Sequence, residues 1–386
     1  MIKSLYTGDK PFTLGILGGG QLAKMLALDA YRMGLNVSVI DKSPGTPAGD
    51  MTKSEFPGGW ENDEELNKFI DSCDLVTLEN EFIDPEILEK VSIKRKVYPT
   101  PQTMRIMQDK FIQKTAFKKA FIPVPDFEEI NSPEEAAEFG NKHGWPYVIK
   151  ARKYGYDGYG NETVLNEDEA RTAFEKFNGK GKDRPLMGEK FIDFSMELAV
   201  MVARNVSGEH VIYPCVRTIQ KDHILHELIA PAPVEPAAAV KAQELALKCV
   251  ESINGVGVFG IEMFLTGIGE VLVNEIAPRP HNSGHYTIEA CYTSQYENCI
   301  RAILDMPLGS TEMIKPGAAM INLLGERHGS GVPSDVSKML ESRASLHLYN
   351  KKESRPGRKM GHITALGDSP EEAFNTAREA ADLFKW

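Results

Sequence analysis

The chain has 386 residues, too many for one core of ordinary size, so two or three domains are expected. Apolar residues make up 42% and charged residues 26%, which fits a globular protein and excludes a disordered one. The net charge of −11 and a pI near 5.4 exclude a general nucleic-acid binder, although local basic clusters still allow a small anionic substrate.

The opening segment "MIKSLYTGDKPF" has no apolar h-region, and no apolar run nears the roughly 18 residues of a membrane span. "FTLGILGGGQLAKMLALDAYRMGLNVSVID" then reads as strand, Gly-rich turn, helix and strand, ending at Asp41. A helix near 63–71, a strand at 74–78 and a helix near 85–91 continue the alternation. Together they predict an open parallel α/β domain over residues 1–100. "VYPTPQTM" at 97–104 reads as a connector.

Beyond it the pattern is α+β, over 101–312, with a small lobe at about 120–190. Short helices near 101–120 lead to strand "YVIKA" at 147–151, the loop "YGYDGYGN" and strand "TVL". "NEDEARTAFEKF" reads as an amphipathic helix capped by Asn166. Strands "LMGEKF", "ELAVMVA", "HVIYPCV" and "HILHELI" look antiparallel. A helix at about 236–253 and strands at 256–265 and 270–276 follow. Residues 313–386 form a small β-rich unit with strands "AAMINLL", "SLHLY" and "KMGHITAL". Its final helix opens with Ser369 as cap, Pro370 in the first turn and Glu372 as capping-box acid. Five cysteines without CxxC spacing read as reduced thiols of a cytosolic protein, not as a zinc site.

Gly18, Gly20 and Ala23 match G-x-G-x-x-A after a strand, with Asp41 lying 18 residues beyond Ala23. This is the dinucleotide fingerprint in its proper context, and alone it suggests an NAD-dependent oxidoreductase. A tight turn in a nucleotide-free α/β domain explains it equally well. The other motifs decide against NAD, because they are phosphate and metal ligands. Lys150 ends a strand before Gly155, Gly158 and Gly160, a loop whose N–H groups could approach phosphates. No helix follows, so it is not a Walker A motif; a plain Gly-rich hairpin is the blander reading. Glu189 and Glu197 bracket an apolar segment, where surface carboxylates would be the ordinary explanation.

"VGVFGIEMFLTGIGEVLVNEIAP" predicts a β-hairpin with the turn "TGIG". With Leu265 paired to Glu270, Glu262 lies opposite Val273, and Glu275 is its diagonal neighbour on the same face, roughly 7–8 Å away. Two like charges on such a face call for a cation, and Mg²⁺ fits. "YNKKESRPGRKMGH" places Lys351, Lys352, Arg355, Arg358 and Lys359 within nine residues, either a solvated basic loop or a phosphate-binding patch.

Lys150, the "YDGYG" loop, "EKFI" with Glu197, and Glu262 with Asn274-Glu275 together resemble ATP-grasp enzymes. "APRPHNSGHYTIEA" and "RPGRKMGH" narrow the resemblance to the N5-carboxyaminoimidazole ribonucleotide synthase family, over essentially the whole chain. The resemblance implies an ATP-grasp fold behind a Rossmann-like domain. It implies ATP and Mg²⁺ (or Mn²⁺) as cofactors, aminoimidazole ribonucleotide and bicarbonate as substrates, and a cytoplasmic homodimer. By position, it makes Lys110, Lys150, Tyr156, Gly158 and Gly160 phosphate ligands. Glu189, Lys190, Phe191 and Ile192 become the adenine hinge, Glu197 the ribose acceptor and Gln220 a further nucleotide neighbour. Glu262 and Glu275 become the metal ligands, with Asn274 beside them. Tyr156, Asp157, Arg279, His281 and Asn282 would face the imidazole and carboxyphosphate. Gln21, Glu79, Glu81, His285, Lys351, Arg358 and Lys359 would hold the ribonucleotide. The loop departs from the family's "GGYDGRG" or "GGYDGKG": Tyr154 replaces a glycine and Tyr159 the basic residue, for which Arg152 or Lys153 could substitute. A formate-dependent glycinamide ribonucleotide transformylase, a biotin-carboxylase-like enzyme and an inactive ATP-binding subunit are the competing readings.

Overall fold

Strand β1 (Thr13–Leu17) leads through the glycine turn into α1 (Gln21–Arg32) and β2 (Asn36–Ile40), as the sequence predicts. The fold is that of a computed structural model, which describes residues 5–153, 160–178 and 184–386. Strands β3 (Ser54–Phe56), β4 (Leu75–Leu78) and β5 (Lys96–Tyr98) complete a parallel sheet in the order β3-β2-β1-β4-β5. Helices α2 (Asp63–Ser72) and α3 (Pro85–Lys94) make the crossovers. The expected connector therefore begins as the edge strand: Lys96–Tyr98 pairs with β4, because only Val97 of the three must be buried there.

Helices α4 (Pro101–Met107) and α5 (Lys110–Lys119) carry the chain onward, each started by a side-chain cap, Thr100 and Asp109. A four-stranded antiparallel sheet follows, formed by β6 (Phe127–Ile130), β7 (Tyr147–Ala151), β8 (Asn161–Val164) and β9 (Leu186–Lys190), ordered β8-β7-β9-β6. Helices α6 (Pro133–His143) and α7 (Glu167–Asn178) cover it. Asn166 accepts the Glu169 N–H at 3.0 Å, as expected of a cap. Strand β6 and α6 were not foreseen, although Ser132, Pro133 and Glu135 form a legible helix start.

The large antiparallel sheet has β10 (Phe194–Arg204) near its centre. Its other strands are β11 (His210–Ile212), β12 (Val216–Lys221), β13 (Ile224–Ala230), β14 (Gly257–Thr266), β15 (Val271–Ala277), β16 (Gly317–Leu324), β17 (Ala344–Leu348) and β18 (Lys359–Gly367). The order is β15-β14-β10-β12-β13-β16-β18-β17, with β11 paired to β10. The C-terminal strands thus extend this sheet instead of forming one of their own. Strand β12 was hidden in the sequence by its polar residues Arg217, Thr218, Gln220 and Lys221.

Alternation along β10 and β14 sorts their side chains between two cores. Leu198, Val200, Val202, Phe259 and Ile261 pack under α8 (Pro236–Ser252), beside Leu245 and Cys249. Ala199, Met201 and Val258 face α9 (Gln295–Ile303), where Ile300 and Ile303 also meet residues of α1. Each large apolar side chain so buried contributes about 1.5–3 kcal/mol. Ser294 donates to Asp29 at 2.5 Å and Arg32 pairs with Glu297, so the parallel domain is clamped onto the large sheet. The final helix α10 (Pro370–Leu383) starts at Ser369 as predicted. Glu372 reaches back to the Asp368 N–H at 2.8 Å, one residue earlier than an ideal capping box.

Candidate active site

The hairpin β14–β15 differs in register from the sequence expectation, and the difference builds the site. Leu265 pairs with Val271, not Glu270, because the turn Thr266–Glu270 is one residue longer; the Glu270 carbonyl accepts the Thr266 N–H. A β-bulge then falls between Met263 and Glu262. Met263 pairs with Val273, Asn274 is the extra residue, and Glu262 directly opposes Glu275. The two carboxylates are therefore direct partners, not diagonal ones. The Asn274 Oδ1 is buried without a hydrogen-bond partner in the described structure.

Burial, then Glu275 and Glu197, push Glu262 up to about 8. Lys110 holds Glu275 down at about 2 through a 2.6 Å ion pair that outweighs burial. Glu275 keeps 43% of its side chain exposed, so the pair is open to a ligand on one side. Two opposed carboxylates and an orphaned amide oxygen are hard oxygen donors. They fit Mg²⁺ or Mn²⁺, and a cation there would relieve the repulsion.

From this pair a line of charges runs both ways. Toward the four-stranded sheet, Lys150 at the end of β7 meets Glu189 of β9 at 2.5 Å. Lys114, which the sequence reading missed, meets Glu189 at 2.7 Å and donates to the Asn274 carbonyl at 2.8 Å. Burial pushes Glu189 up, but Lys114 and Lys150 outweigh it and hold it at about 2. The spacing Lys110–Lys114 on α5 puts both lysines on one face, and that was the available signal. Lys190, Phe191 and Ile192 follow on the strand end, with Phe191 43% exposed. Glu197, pushed to about 7 by burial, lies across from Phe264, and Gln220 sits half-buried on β12. Tyr156, Asp157 and Gly158, with Tyr154 and Tyr159, lie outside the described residues. Gly160 adopts φ +88° where β8 begins. Arg152 is held by Asp109 at 2.8 Å and by Glu129, with its guanidinium over Phe111, so its charge is already engaged.

On the other side, His281 Nε2 lies 3.7 Å from Glu262, and its Nδ1 shares a 2.8 Å hydrogen bond with Ser283. Burial, then Arg279 and Lys359, push His281 down to about 3, so the imidazole is neutral. Gly260 makes room for this loop: a Cβ there would stand 2.6 Å from that of His281. Asn282 and Asn322 exchange amide hydrogen bonds of 3.0 and 2.6 Å; Asn322 was a lone polar residue in the apolar run "AAMINLL" and went unread. Arg279 grips Glu81 with both nitrogens of its fork, Nη2 at 2.8 Å.

Glu79 occupies the start of α1, accepting the Gly20 N–H at 2.9 Å and the Ala23 N–H at 3.2 Å. Asp41 takes the Gly19 N–H at 2.8 Å. The donors that a dinucleotide's pyrophosphate would use are thus given to carboxylates, which a helix N-terminus favours for the same reason. A Cβ at Gly20 would stand 2.5 Å from Glu79, so the fingerprint glycines here admit a side chain of the protein itself. Gln21 follows, half-buried. Facing this end of the sheet, Lys351 donates to the Lys359 carbonyl at 2.6 Å and Arg358 to that of Glu353 at 2.6 Å. Burial, then Arg358, lower Lys351 to about 7, while Glu79 opposes the shift.

His285 is fully buried, with Nδ1 3.0 Å from the Tyr296 hydroxyl, and its ring lies 4.9 Å from that of His362. His362 stacks on His347 at 4.4 Å and 9°, and His347 meets Glu289 at 2.6 Å. One ligand atom from each of Glu289, His347 and His362 lies within 4.8 Å of the others, and His285 Nε2 and His362 Nε2 are buried without a hydrogen-bond partner among the described residues.

Family models match three stretches: a ribonucleotide synthetase preATP-grasp domain at 12–108, an ATP-grasp domain at 115–296, and a phosphoribosylaminoimidazole carboxylase C-terminal domain at 318–376. The phosphoribosylaminoimidazole carboxylase of Saccharomyces cerevisiae is 40% identical over 373 residues, 93% of this chain; the chain spans 64% of that longer protein. The crystal structure of N5-carboxyaminoimidazole ribonucleotide synthetase from Thermotoga maritima is 43% identical, with TM-score 0.85, over 97% of this chain and 99% of that one. An N5-carboxyaminoimidazole synthase from Aspergillus clavatus, in complex with ADP and 5-aminoimidazole ribonucleotide, is 38% identical with TM-score 0.87, over 96% and 98%. With its opposed carboxylates, its line of lysines and its basic C-terminal loop, the chain belongs to the N5-carboxyaminoimidazole ribonucleotide synthase family of ATP-grasp ligases.

Proposed function

We propose that the chain uses ATP and bicarbonate to carboxylate the amine of 5-aminoimidazole ribonucleotide, giving N5-carboxyaminoimidazole ribonucleotide, ADP and phosphate in purine biosynthesis. The observation that carries the reading is Glu262 set directly against Glu275, with lysines on one side and His281, Arg279 and the basic loop on the other. A bicarbonate oxygen attacks the γ-phosphorus and ADP leaves. The resulting carboxyphosphate splits to CO₂ and phosphate, and the amine nitrogen bonds to the CO₂ carbon and loses a proton.

Phosphoryl transfer of this kind needs positioning and charge neutralisation more than a nucleophile. Lys110 and Lys150 hold the triphosphate; Glu189 to Ile192 and Glu197 take the adenosine. Glu262 and Glu275, with Asn274 beside them, would hold Mg²⁺, which would neutralise charge on the transferred phosphoryl group. The neutral His281 and Asn282 offer hydrogen bonds to the carboxylated intermediate, and Arg279 supplies charge while Glu81 fixes its fork. Lys351, Arg358 and Lys359 hold the ribonucleotide phosphate across from Gln21 and Glu79. The loop with Tyr156, Asp157, Gly158 and Gly160 covers the phosphates. The division into 1–100, 101–312 and 313–386, a homodimer and a cytoplasmic location belong to the same reading.

ADP release by the purified chain is the test, with aminoimidazole ribonucleotide and bicarbonate omitted in turn. Release should depend on Mg²⁺ and the ribonucleotide, and stable carboxylation on bicarbonate. Equal release with glycinamide ribonucleotide and formate would move the chain to the transformylase activity.

A further inference from the structure

Lys114 lies one helical turn beyond Lys110 on α5, and only 1% of it is exposed. Removing an ammonium from water costs several kcal/mol unless its protons are fully engaged. Here the ammonium has two partners on different sheets: an ion pair with Glu189 on β9, and a hydrogen bond to the carbonyl of Asn274 on β15. Asn274 is the bulge residue, and a bulge leaves its extra residue outside the ladder. Without the bulge, pairing would continue from Met263–Val273 to Glu262–Asn274. Glu275 would then project from the opposite face of the hairpin, since a one-residue slip turns a side chain over. The bulge is what brings the two carboxylates onto one face.

We infer that Lys114 is a positioning residue for the metal–nucleotide site. It pins the Asn274 carbonyl, and with it the bulge that sets Glu275 against Glu262. Its ion pair ties that register to Glu189 on the nucleotide side, so hinge strand and metal strand are held at one distance. Being 1% exposed, it acts through these two partners. The inference rests on the reading of Glu262 and Glu275 as the Mg²⁺ ligands.

Calorimetry of ADP binding with and without Mg²⁺ tests it, and needs neither aminoimidazole ribonucleotide nor bicarbonate. A wild-type chain that fails to carboxylate would count against the proposed function while leaving this readout intact. In wild type, Mg²⁺ should tighten ADP binding; in Lys114→Met that advantage should shrink at least about tenfold, as for groups that orient metal ligands. In steady state, kcat should fall with the KM for aminoimidazole ribonucleotide within about twofold of wild type. Should Lys114→Met fail to fold, Lys114→Gln places a shorter neutral amide there while Lys150 keeps Glu189 paired, and should show the same loss of Mg²⁺ advantage. An unchanged Mg²⁺ advantage in either variant, whatever its melting temperature, overturns the inference, as does its absence in wild type.

Discussion

Glu275→Gln removes one anion from the opposed pair while keeping its size. Two effects on stability oppose each other. Lys110 loses a 2.6 Å partner, but the pair is partly exposed, 17% and 43%, so its loss costs about 1 kcal/mol or less. Against this, Glu262 loses the like charge that, after burial, most raises it. The net change should stay within about 1 kcal/mol, a melting shift of about 2–4 °C at most. Turnover is a different matter. Removing one preorganised charge-stabilising group from a transition state costs about 10²–10³ in rate. ADP release at saturating Mg²⁺, aminoimidazole ribonucleotide and bicarbonate, run beside thermal melts, measures both. Turnover within about threefold of wild type would refute the ligand role, and a large fall in melting temperature would make Glu275 a structural residue instead.

Arg358→Ala should raise the KM for aminoimidazole ribonucleotide at least about tenfold and leave that for ATP nearly unmoved, since a charge-assisted phosphate contact contributes about 1.5–3 kcal/mol; the reverse pattern would place the loop with the nucleotide. In the metal-free protein, Glu262 titrates near 8 when folded against an ordinary 4.5, so across that window the native state holds the extra proton and stability falls as pH rises. Thermal melts from about pH 5 to 8 should therefore slope downward less steeply in Glu262→Gln than in wild type; parallel curves would contradict the raised value.

The regular elements were legible wherever periodicity and punctuation agreed, as in β1–α1–β2 and the Ser369–Pro370 start of α10. The site was legible through residue types no ordinary turn needs, the carboxylates of the hairpin and the "HNSGH" run. Its register was not. A bulge at Asn274 leaves no pattern in the strand's sequence, and the lysine that holds its carbonyl, Lys114, is 160 residues away in the chain. The same holds for Glu79 at the start of α1, a contact between residues 59 apart in sequence, which turns a dinucleotide fingerprint into a carboxylate seat. Asn322 and Gly260 act through partners that only the packed sheets bring near.

In the proposed reaction, bicarbonate activated by ATP supplies the carboxyl group through carboxyphosphate. Turnover with ¹⁸O-labelled bicarbonate and analysis of the released phosphate by mass spectrometry tests it most directly. Each phosphate should carry one labelled oxygen and form only in the presence of aminoimidazole ribonucleotide, with the remaining label in the carbamate product. Phosphate carrying no label would mean that bicarbonate never attacks the γ-phosphorus, and would rule out carboxyphosphate as the intermediate.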